Sequence, residues 1–323
     1  MTEAIRMHAV GGPSVLQWEH VPTPEPAANE ILLRHEAIGL NYIDVYFRTG
    51  LYKTQLPAII GLEGAGIVLK AGSAVTDIKP GDRIAYCGGP PGAYATERVL
   101  PVDRAVPLPA WIPVSTAAAI MLQGITAHYL LHRTFVVQPG TTILVHAAAG
   151  GVGLILCQWA QHLGAHVIGV VSSAAKADIA RAHGAAEVIV GYDDLPATVK
   201  RLTHGAMVPV VYDSIGRDTF EASLDCLAPL GLMVSFGNAS GPVPPIDISQ
   251  LAAKGSLFLT RPSLATYAAK TSELRSAAAT LFEAVRSGAI SVTINQSFPL
   301  REAAAAHTAL EARQTTGSTI LMP

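Results

Sequence analysis

The chain is poor in cysteine. Cys87, Cys157 and Cys226 are its only thiols among 323 residues, odd in number and far apart. That excludes a disulfide framework and fits reduced thiols in the cytosol. Charge is also scarce: 22 Lys plus Arg stand against 24 Asp plus Glu, a formal net charge of −2. No basic run accumulates, and no basic stripe with interleaved aromatics is found, so nucleic acid is not an expected partner. The opening MTEAIRMHAV has no apolar core of the kind a secretory signal carries. The alanine-rich stretch Ser115–His132 is interrupted by Gln123, Gly124 and His128. It reads as a buried helix or helix pair, and no membrane insertion is expected. There is no internal repeat, and no low-complexity segment beyond an alanine bias. What the chain does have is apolar side chains, 50% of its residues. That is enough for a large core, and the length suggests two domains.

Residues 1 to about 120 are broken up by Gly and Pro. Short apolar runs at Ile31–His35, Ile59–Lys70 and Arg83–Cys87 read as strands between turns, marked by Pro80-Gly81 and Gly88-Gly89. This points to a compact, barrel-like β-rich domain. From about Ser115 the pattern turns to alternating helices and strands. Strands are expected at Ile143–Val145, His166–Val171, Glu187–Val190, Val208–Tyr212 and Gly231–Phe236, with helices at Lys176–His183, Leu195–Thr203 and Thr219–Leu224. Such alternation implies a doubly wound parallel sheet with right-handed crossovers. Helices at Ser272–Ser287 and Arg301–Ala312 and a strand at Ser318–Leu321 close the chain. The fold class is therefore α/β.

The most specific signal lies between the first of those strands and its helix. In TTILVHAAAGGVGLILCQWAQHLG, Ala147, Gly150 and Gly153 take the spacing A-x-x-G-x-x-G. A small-residue turn brings backbone N–H groups close to a pyrophosphate, and the following helix points its positive end at the same anion. Strand before and helix after are the context this motif requires. Gly150, Gly151, Val152 and Gly153 are thus expected to hold a dinucleotide's pyrophosphate. An NAD site would place Asp or Glu at the end of the next strand. This chain has Ser172, Ser173 and, just beyond, Lys176. A carboxylate repels a 2′-phosphate, whereas a hydroxyl and an ammonium bind it, so the cofactor reads as NADPH. Ser214 and the run Phe236, Gly237, Asn238 end later strands at the sheet edge where doubly wound folds bind ligands.

Several further runs carry a family likeness. They include NYIDVYFRTGLY at Asn41–Tyr52, GLEGAGIV at Gly61–Val68, GDRIAY at Gly81–Tyr86, MLQGITAHYLL at Met121–Leu131 and HAAAGGVG at His146–Gly153. VVYDSIGRDTF at Val210–Phe220, SFGNASG at Ser235–Gly241, TRPSL at Thr260–Leu264 and the closing TTGSTILMP complete the set. The chain resembles the zinc-free quinone oxidoreductases of the medium-chain dehydrogenase/reductase superfamily, the group that includes ζ-crystallin, and especially the bacterial NADPH:quinone reductases.

The resemblance implies a GroES-like β domain formed by 1–120 and 261–323, around a Rossmann domain at 121–260. It also implies a cytoplasmic homodimer pairing edge to edge, and an active site in the cleft between domains. Asn41, Tyr46 and Tyr52, in what reads as a loop, would line that cleft. Asn41 would offer an amide, and the tyrosines flat apolar surface plus an O–H donor. Thr126, Tyr192 and Arg313 match family cofactor contacts, Tyr192 beside the 2′-phosphate. Phe236–Asn238 would lie along the nicotinamide ribose.

The zinc-dependent relatives carry Cys where this chain has Asn41 and His where it has Leu62, so no metal is expected. The pair His128/His132 has i,i+4 spacing but lacks the Glu of H-E-x-x-H. Without a Lewis acid an alkoxide has no stabiliser, but a quinone is already a good electron acceptor. Positioning and one or two hydrogen-bond donors suffice for it. The implied reaction is NADPH-dependent quinone reduction, direct and without flavin, by one electron or two. Reduction of activated alkenes such as enones in the same cleft is the alternative. A ζ-crystallin-like structural or RNA-binding role is a remoter one.

Overall fold

The computed structural model describes all 323 residues. They form two compact units. The first comprises Met1–Ile125, Ala268–Ala279 and Val292–Pro323; the second comprises Thr126–Tyr267 and Thr280–Ser291.

The first unit is built on antiparallel strands: β1 (Thr2–Met7), β2 (Gln17–Val21), β3 (Glu30–Leu40), β4 (Ala58–Ile59), β5 (Glu63–Ala71), β6 (Arg83–Cys87), β7 (Glu97–Pro101) and β8 (Val106–Pro107). One small sheet has the order β2-β1-β4, and the larger runs β3-β5-β6-β8 with β7 also pairing β3. Alternation along β3 drives Ile31 and Leu33 into a core with Ile5, Met7, Ile60, Ile84, Tyr86 and Leu100. The run Ile59–Lys70 is not one strand. It breaks before Glu63 at Gly61, whose φ is +94° and where a Cβ would stand 2.4 Å from the Tyr94 ring. Nor is Asn41–Tyr52 a loop: Tyr42–Thr49 is helix α1.

Helix α2 (Val114–Tyr129) crosses the boundary between the units and ends in a π-helical turn, Leu130–Thr134. Together they are long and apolar enough to cross a membrane, but most of that length is buried in the protein. The second unit then alternates strictly: β9 (Thr142–His146), α3 (Gly151–His162), β10 (His166–Val171), α4 (Ala174–Ala182), β11 (Glu187–Val190), α5 (Leu195–Leu202), β12 (Val208–Asp213), α6 (Phe220–Asp225) and β13 (Leu227–Ser235). After α7 (Ser249–Ala253) comes β14 (Phe258–Thr260), then α8 (Leu264–Tyr267). All pairings are parallel, in the order β11-β10-β9-β12-β13-β14. The chain reverses its direction of build between β9 and β12, which is the switch point of a doubly wound sheet. Its strands are near-continuous apolar runs because helices cover both faces. Leu144, Ile168 and Val211 pack with Leu195, Val199, Phe220 and Leu224 on one of them.

Helix α9 (Thr271–Arg286) spans both units; its second half and the residues to Ser291 group with the second. The changes of unit thus fall within α2, between α8 and α9, within α9 and just after it. The chain closes in the first unit with β15 (Ile294–Pro299), α10 (Ala303–Glu311) and β16 (Ser318–Met322), and β16 pairs with β3.

Candidate active site

In the second unit the strand ends carry the expected nucleotide residues in a row. β9 ends at His146, and the chain turns through Ala147, held at φ +51°, to Gly150, the residue capping α3. A Cβ on Gly153 would stand 2.1 Å from the Ala147 carbonyl oxygen. Only glycine lets α3 seat this closely on the turn. No side chain caps the start of α3, so its first N–H groups at Gly151, Val152 and Gly153 face outward as anion donors. Ser172 follows the end of β10, and Ser173 and Lys176 lie at the start of α4, whose first turn holds no acid. Tyr192, past the end of β11, is half-buried, with its ring 6.0 Å from that of His146. Ser214 follows β12, and Phe236, Gly237 and Asn238 follow β13. In a parallel sheet these ends share one edge, so the fold gathers them. Thr126 stands apart from this row, buried in α2. Arg313 belongs to the first unit, past the end of α10, in a left-handed conformation with φ +58°.

A buried polar cluster buttresses this edge. Asp213 Oδ1 accepts the N–H groups of Ile215 (2.7 Å) and Gly216 (3.1 Å). Its Oδ2 accepts the hydroxyls of Thr219 (2.7 Å) and Ser223 (2.8 Å). Ser223 Oγ lies 2.9 Å from His146 Nε2. Because Ser223 spends its one proton on Asp213, His146 donates from Nε2 and leaves Nδ1 a bare acceptor. That Nδ1 is buried without a partner at the base of the glycine turn. Burial holds the imidazole pKa below its ordinary value, so it stays neutral. Arg261 Nη1 clamps the next turn through the carbonyls of Ser235 (2.8 Å) and Gly237 (3.0 Å). Sequence reading missed Asp213, Ser223 and Arg261; the polar ends of otherwise apolar strands were the available signal. The glycine cradle, the uncapped helix start and the acid-free α4 turn fit a phosphorylated dinucleotide.

In the first unit Asn41 starts α1. Asp44 folds back to accept the Asn41 N–H at 3.0 Å, and Gly50 ends the helix in a left-handed conformation. Asp44 therefore orders this segment. Its Oδ2 also accepts the Tyr94 hydroxyl at 3.0 Å, its Oδ1 has no partner, and burial pushes its pKa up to about 7. Arg48, on the same helix, is buried and doubly bonded to Glu311 of α10 at 2.7 Å.

Tyr46 and Tyr52 meet edge to face with centroids 5.2 Å apart, and Tyr42, unforeseen, lies 5.6 Å from Tyr46. Asn41 is buried beside them, with its Nδ2 donating to Glu63 Oε2 at 2.6 Å. Glu63 also takes the Leu122 N–H at 2.7 Å, and burial pushes its pKa up to about 8. Glu63, Gln123 and Ser318 were not foreseen as part of this group.

The donors here do not fit a catalytic zinc. Leu62 is buried and has no ligating atom, and no three His, Cys, Asp or Glu side chains are placed to hold a metal ion together. His128 and His132 pack with rings 5.0 Å apart against Trp159, and burial holds His128 down to about 4.

Comparison with known proteins accords with this geometry. A family model described as alcohol dehydrogenase GroES-like domain matches residues 27–110, and one described as zinc-binding dehydrogenase matches 151–280. A quinone oxidoreductase of Pseudomonas aeruginosa is 51% identical, with all of both chains covered. The crystal structure of Escherichia coli quinone oxidoreductase complexed with NADPH superposes with a TM-score of 0.98 at 48% identity, covering 100% of each chain. A 2-haloacrylate reductase of Burkholderia is 43% identical over 100% of this chain and 99% of its own. The chain belongs to the quinone oxidoreductases of the medium-chain dehydrogenase/reductase superfamily.

Proposed function

We infer that the protein is an NADPH-dependent quinone reductase. The observation that carries this is full-length likeness at about half identity to quinone oxidoreductases, one of them solved with NADPH, joined to a strand-end row that fits that cofactor. When bound, the nicotinamide supplies the reducing equivalents. The chain's own residues bind and orient. Gly150–Gly153 and the start of α3 take the pyrophosphate. Ser172, Lys176 and Tyr192 take the 2′-phosphate. Thr126, Ser214, Phe236, Gly237, Asn238 and Arg313 serve the nicotinamide half. Asn41 donates an amide N–H to a quinone oxygen, and Tyr46 and Tyr52 supply aromatic surface and a hydroxyl. Charge developing on that oxygen is met by fixed donors, which is what positioning without a Lewis acid requires.

Two coarser properties follow the same reading. The protein works in the cytoplasm, where its three buried thiols stay reduced. It acts as a homodimer through β14, the outer strand of the parallel sheet, where Phe258 is 60% exposed. Light scattering on a size-exclusion column tests this: Phe258→Asp should leave a monomer.

The likeness to a 2-haloacrylate reductase favours a second reading, reduction of an activated alkene. Anaerobic oxidation of NADPH and of NADH, with a benzoquinone and an enone offered separately, decides between them. Fast, NADPH-selective quinone turnover supports the first reading. Enone turnover without quinone turnover moves the assignment to the second.

A further inference from the structure

Glu63 opens β5 as a fully buried carboxylate in the otherwise uncharged run Ile60–Leu69. A buried acid persists where donors meet its oxygens. Leu122 N–H reaches Oε1 at 2.7 Å and Asn41 Nδ2 reaches Oε2 at 2.6 Å. Asn41 Oδ1 in turn faces Gln123 Nε2 at 3.4 Å, and Gln123 Oε1 accepts the Ser318 hydroxyl at 2.9 Å. A Cβ on Gly39 of β3 would stand 2.2 Å from Glu63 Oε2, so the neighbouring strand leaves room for this carboxylate.

The relay contains two amides, and amides have no intrinsic direction. Turning both over exchanges donors for acceptors, and the Ser318 hydroxyl rotates to suit. An ionised carboxylate only accepts, and the Leu122 N–H only donates. Glu63 is therefore the member that sets the sense of the relay. With it ionised, Asn41 turns Nδ2 inward, and the second N–H on that nitrogen stays a donor. We propose that Glu63 is a positioning residue for quinone reduction, fixing the Asn41 amide so that Nδ2–H, not Oδ1, is presented to the quinone oxygen. This rests on the reading of Asn41 as that donor.

A glutamine side chain at 63 has the same shape and the opposite effect. Its oxygen takes the Leu122 N–H and its nitrogen faces Asn41. Asn41 and Gln123 then turn over, and Ser318 accepts. Each member of the relay keeps a partner, and the Asp44 N–H gives up the Asn41 side chain but keeps the Asn41 backbone carbonyl at 3.0 Å, so the fold survives, but Asn41 now offers an acceptor. Protonation of Glu63 acts in the same way. The titratable groups around it are Asp44 on α1, His35 on β3, and Tyr86 and Cys87 on β6. Burial holds His35 neutral, down to about 3, and Tyr86 neutral, up to about 12, with the Cys87 thiol higher still.

The test compares wild type, Glu63→Gln, Asn41→Ala and the double variant at pH 8.5. It reads kcat/KM for a benzoquinone, NADPH Kd by fluorescence titration, and Tm. Glu63→Gln is expected to lower kcat/KM about tenfold, with NADPH Kd within twofold and Tm no lower than that of wild type. Asn41→Ala should lose as much, and the double variant no more than Asn41→Ala alone. Wild-type kcat/KM should rise with pH through a step near 8 that both single variants lack. If Asn41→Ala loses activity while Glu63→Gln does not, or if the two losses multiply, the inference fails and the reading of Asn41 stands. If Asn41→Ala turns over like wild type, both fail. Should Glu63→Gln not fold, the wild-type pH profile decides: a step near 8 that Asn41→Ala lacks supports the inference, and a flat profile overturns it.

Discussion

The two units treat a buried carboxylate in opposite ways. Asp213, at the end of β12, receives two backbone N–H groups and two hydroxyls, which fill both oxygens. Those donors belong to a single stretch of chain, Ile215–Ser223, so the cluster is a clamp that holds the turn after the strand. In the first unit the acids are less completely met. Asp44 leaves Oδ1 without a partner, and burial raises its pKa to about 7. Glu63 leans on one side-chain amide and the backbone of α2, and burial raises it to about 8. The number and rigidity of donors decide which acid is held in one geometry and which becomes sensitive to its surroundings. Asp213 holds the turn at the strand end, where the proposed nucleotide site needs geometry that does not change. The sensitive ones sit beside Asn41, where the sense of one hydrogen bond matters.

The comparison breaks most directly at Asp213. Asp213→Asn sets an N–H against hydroxyls and leaves donors stranded in a closed cluster, at a cost of about 3–5 kcal/mol. Urea unfolding measures it; a loss below about 1 kcal/mol would mean that the cluster is no clamp. Gly153→Ala is next. Its methyl meets the Ala147 carbonyl at 2.1 Å, so α3 or the turn must move. A stability loss of about 2–3 kcal/mol is expected, with NADPH affinity falling at least tenfold. Unchanged affinity in a titration would separate the cradle from cofactor binding.

Much of this unit was legible in the sequence. Apolar runs closed by glycine or a polar residue mark parallel strands, and their alternation with helices dictates the order in which they can lie. The strand-end residues followed, because one rule of the fold puts every such end on one edge. The first unit was legible only as β-rich. Helix α1 was read as a loop, although Asn41, Asp44 and Gly50 supply its start and stop; in a segment crowded with Gly and Pro those signals look like turn residues. The relay to Asn41 was invisible for a different reason. Its members lie 22, 82 and 195 positions apart along the chain, and no local pattern pairs an acid in one strand with an amide in a distant helix. A lone glutamate within an apolar strand was the only hint.

The acids of the first unit should also show in stability against pH. A carboxyl whose folded pKa is raised binds its proton longer in the folded protein than in the unfolded chain, so stability falls as pH rises between the two values. For Glu63 that window runs from about 4.5 to about 8. Below about pH 6.5 the buried histidines oppose it. His35 and His307 are held down to about 3, so they stay neutral when folded and favour the folded state increasingly as pH rises to 6.5. Above pH 7 the histidine contribution is complete, Asp44, raised to about 7, adds only the end of its own falling limb, and Glu63 dominates. Stability is expected to fall by about 1–2 kcal/mol between pH 7 and 8.5, and Glu63→Gln should flatten that limb. A limb equally steep in the variant would assign it elsewhere.

The smallest expected effect tests whether the tyrosines share the work of Asn41. Tyr46 is buried and rigidly packed on Tyr52, while Tyr52 is half-buried and follows α1, its N–H bonded to the Tyr46 carbonyl at 2.9 Å. A hydroxyl that only packs contributes nothing its ring does not. One that donates to the quinone oxygen contributes a neutral hydrogen bond, about 1 kcal/mol. Tyr52→Phe should therefore lower kcat/KM for the quinone about fivefold and leave NADPH affinity unchanged. This loss should be the same at pH 7 and at pH 8.5, whereas the loss in Glu63→Gln grows with pH. Equal pH behaviour in the two variants would remove the distinction between a donor that is always poised and one whose direction a buried acid sets.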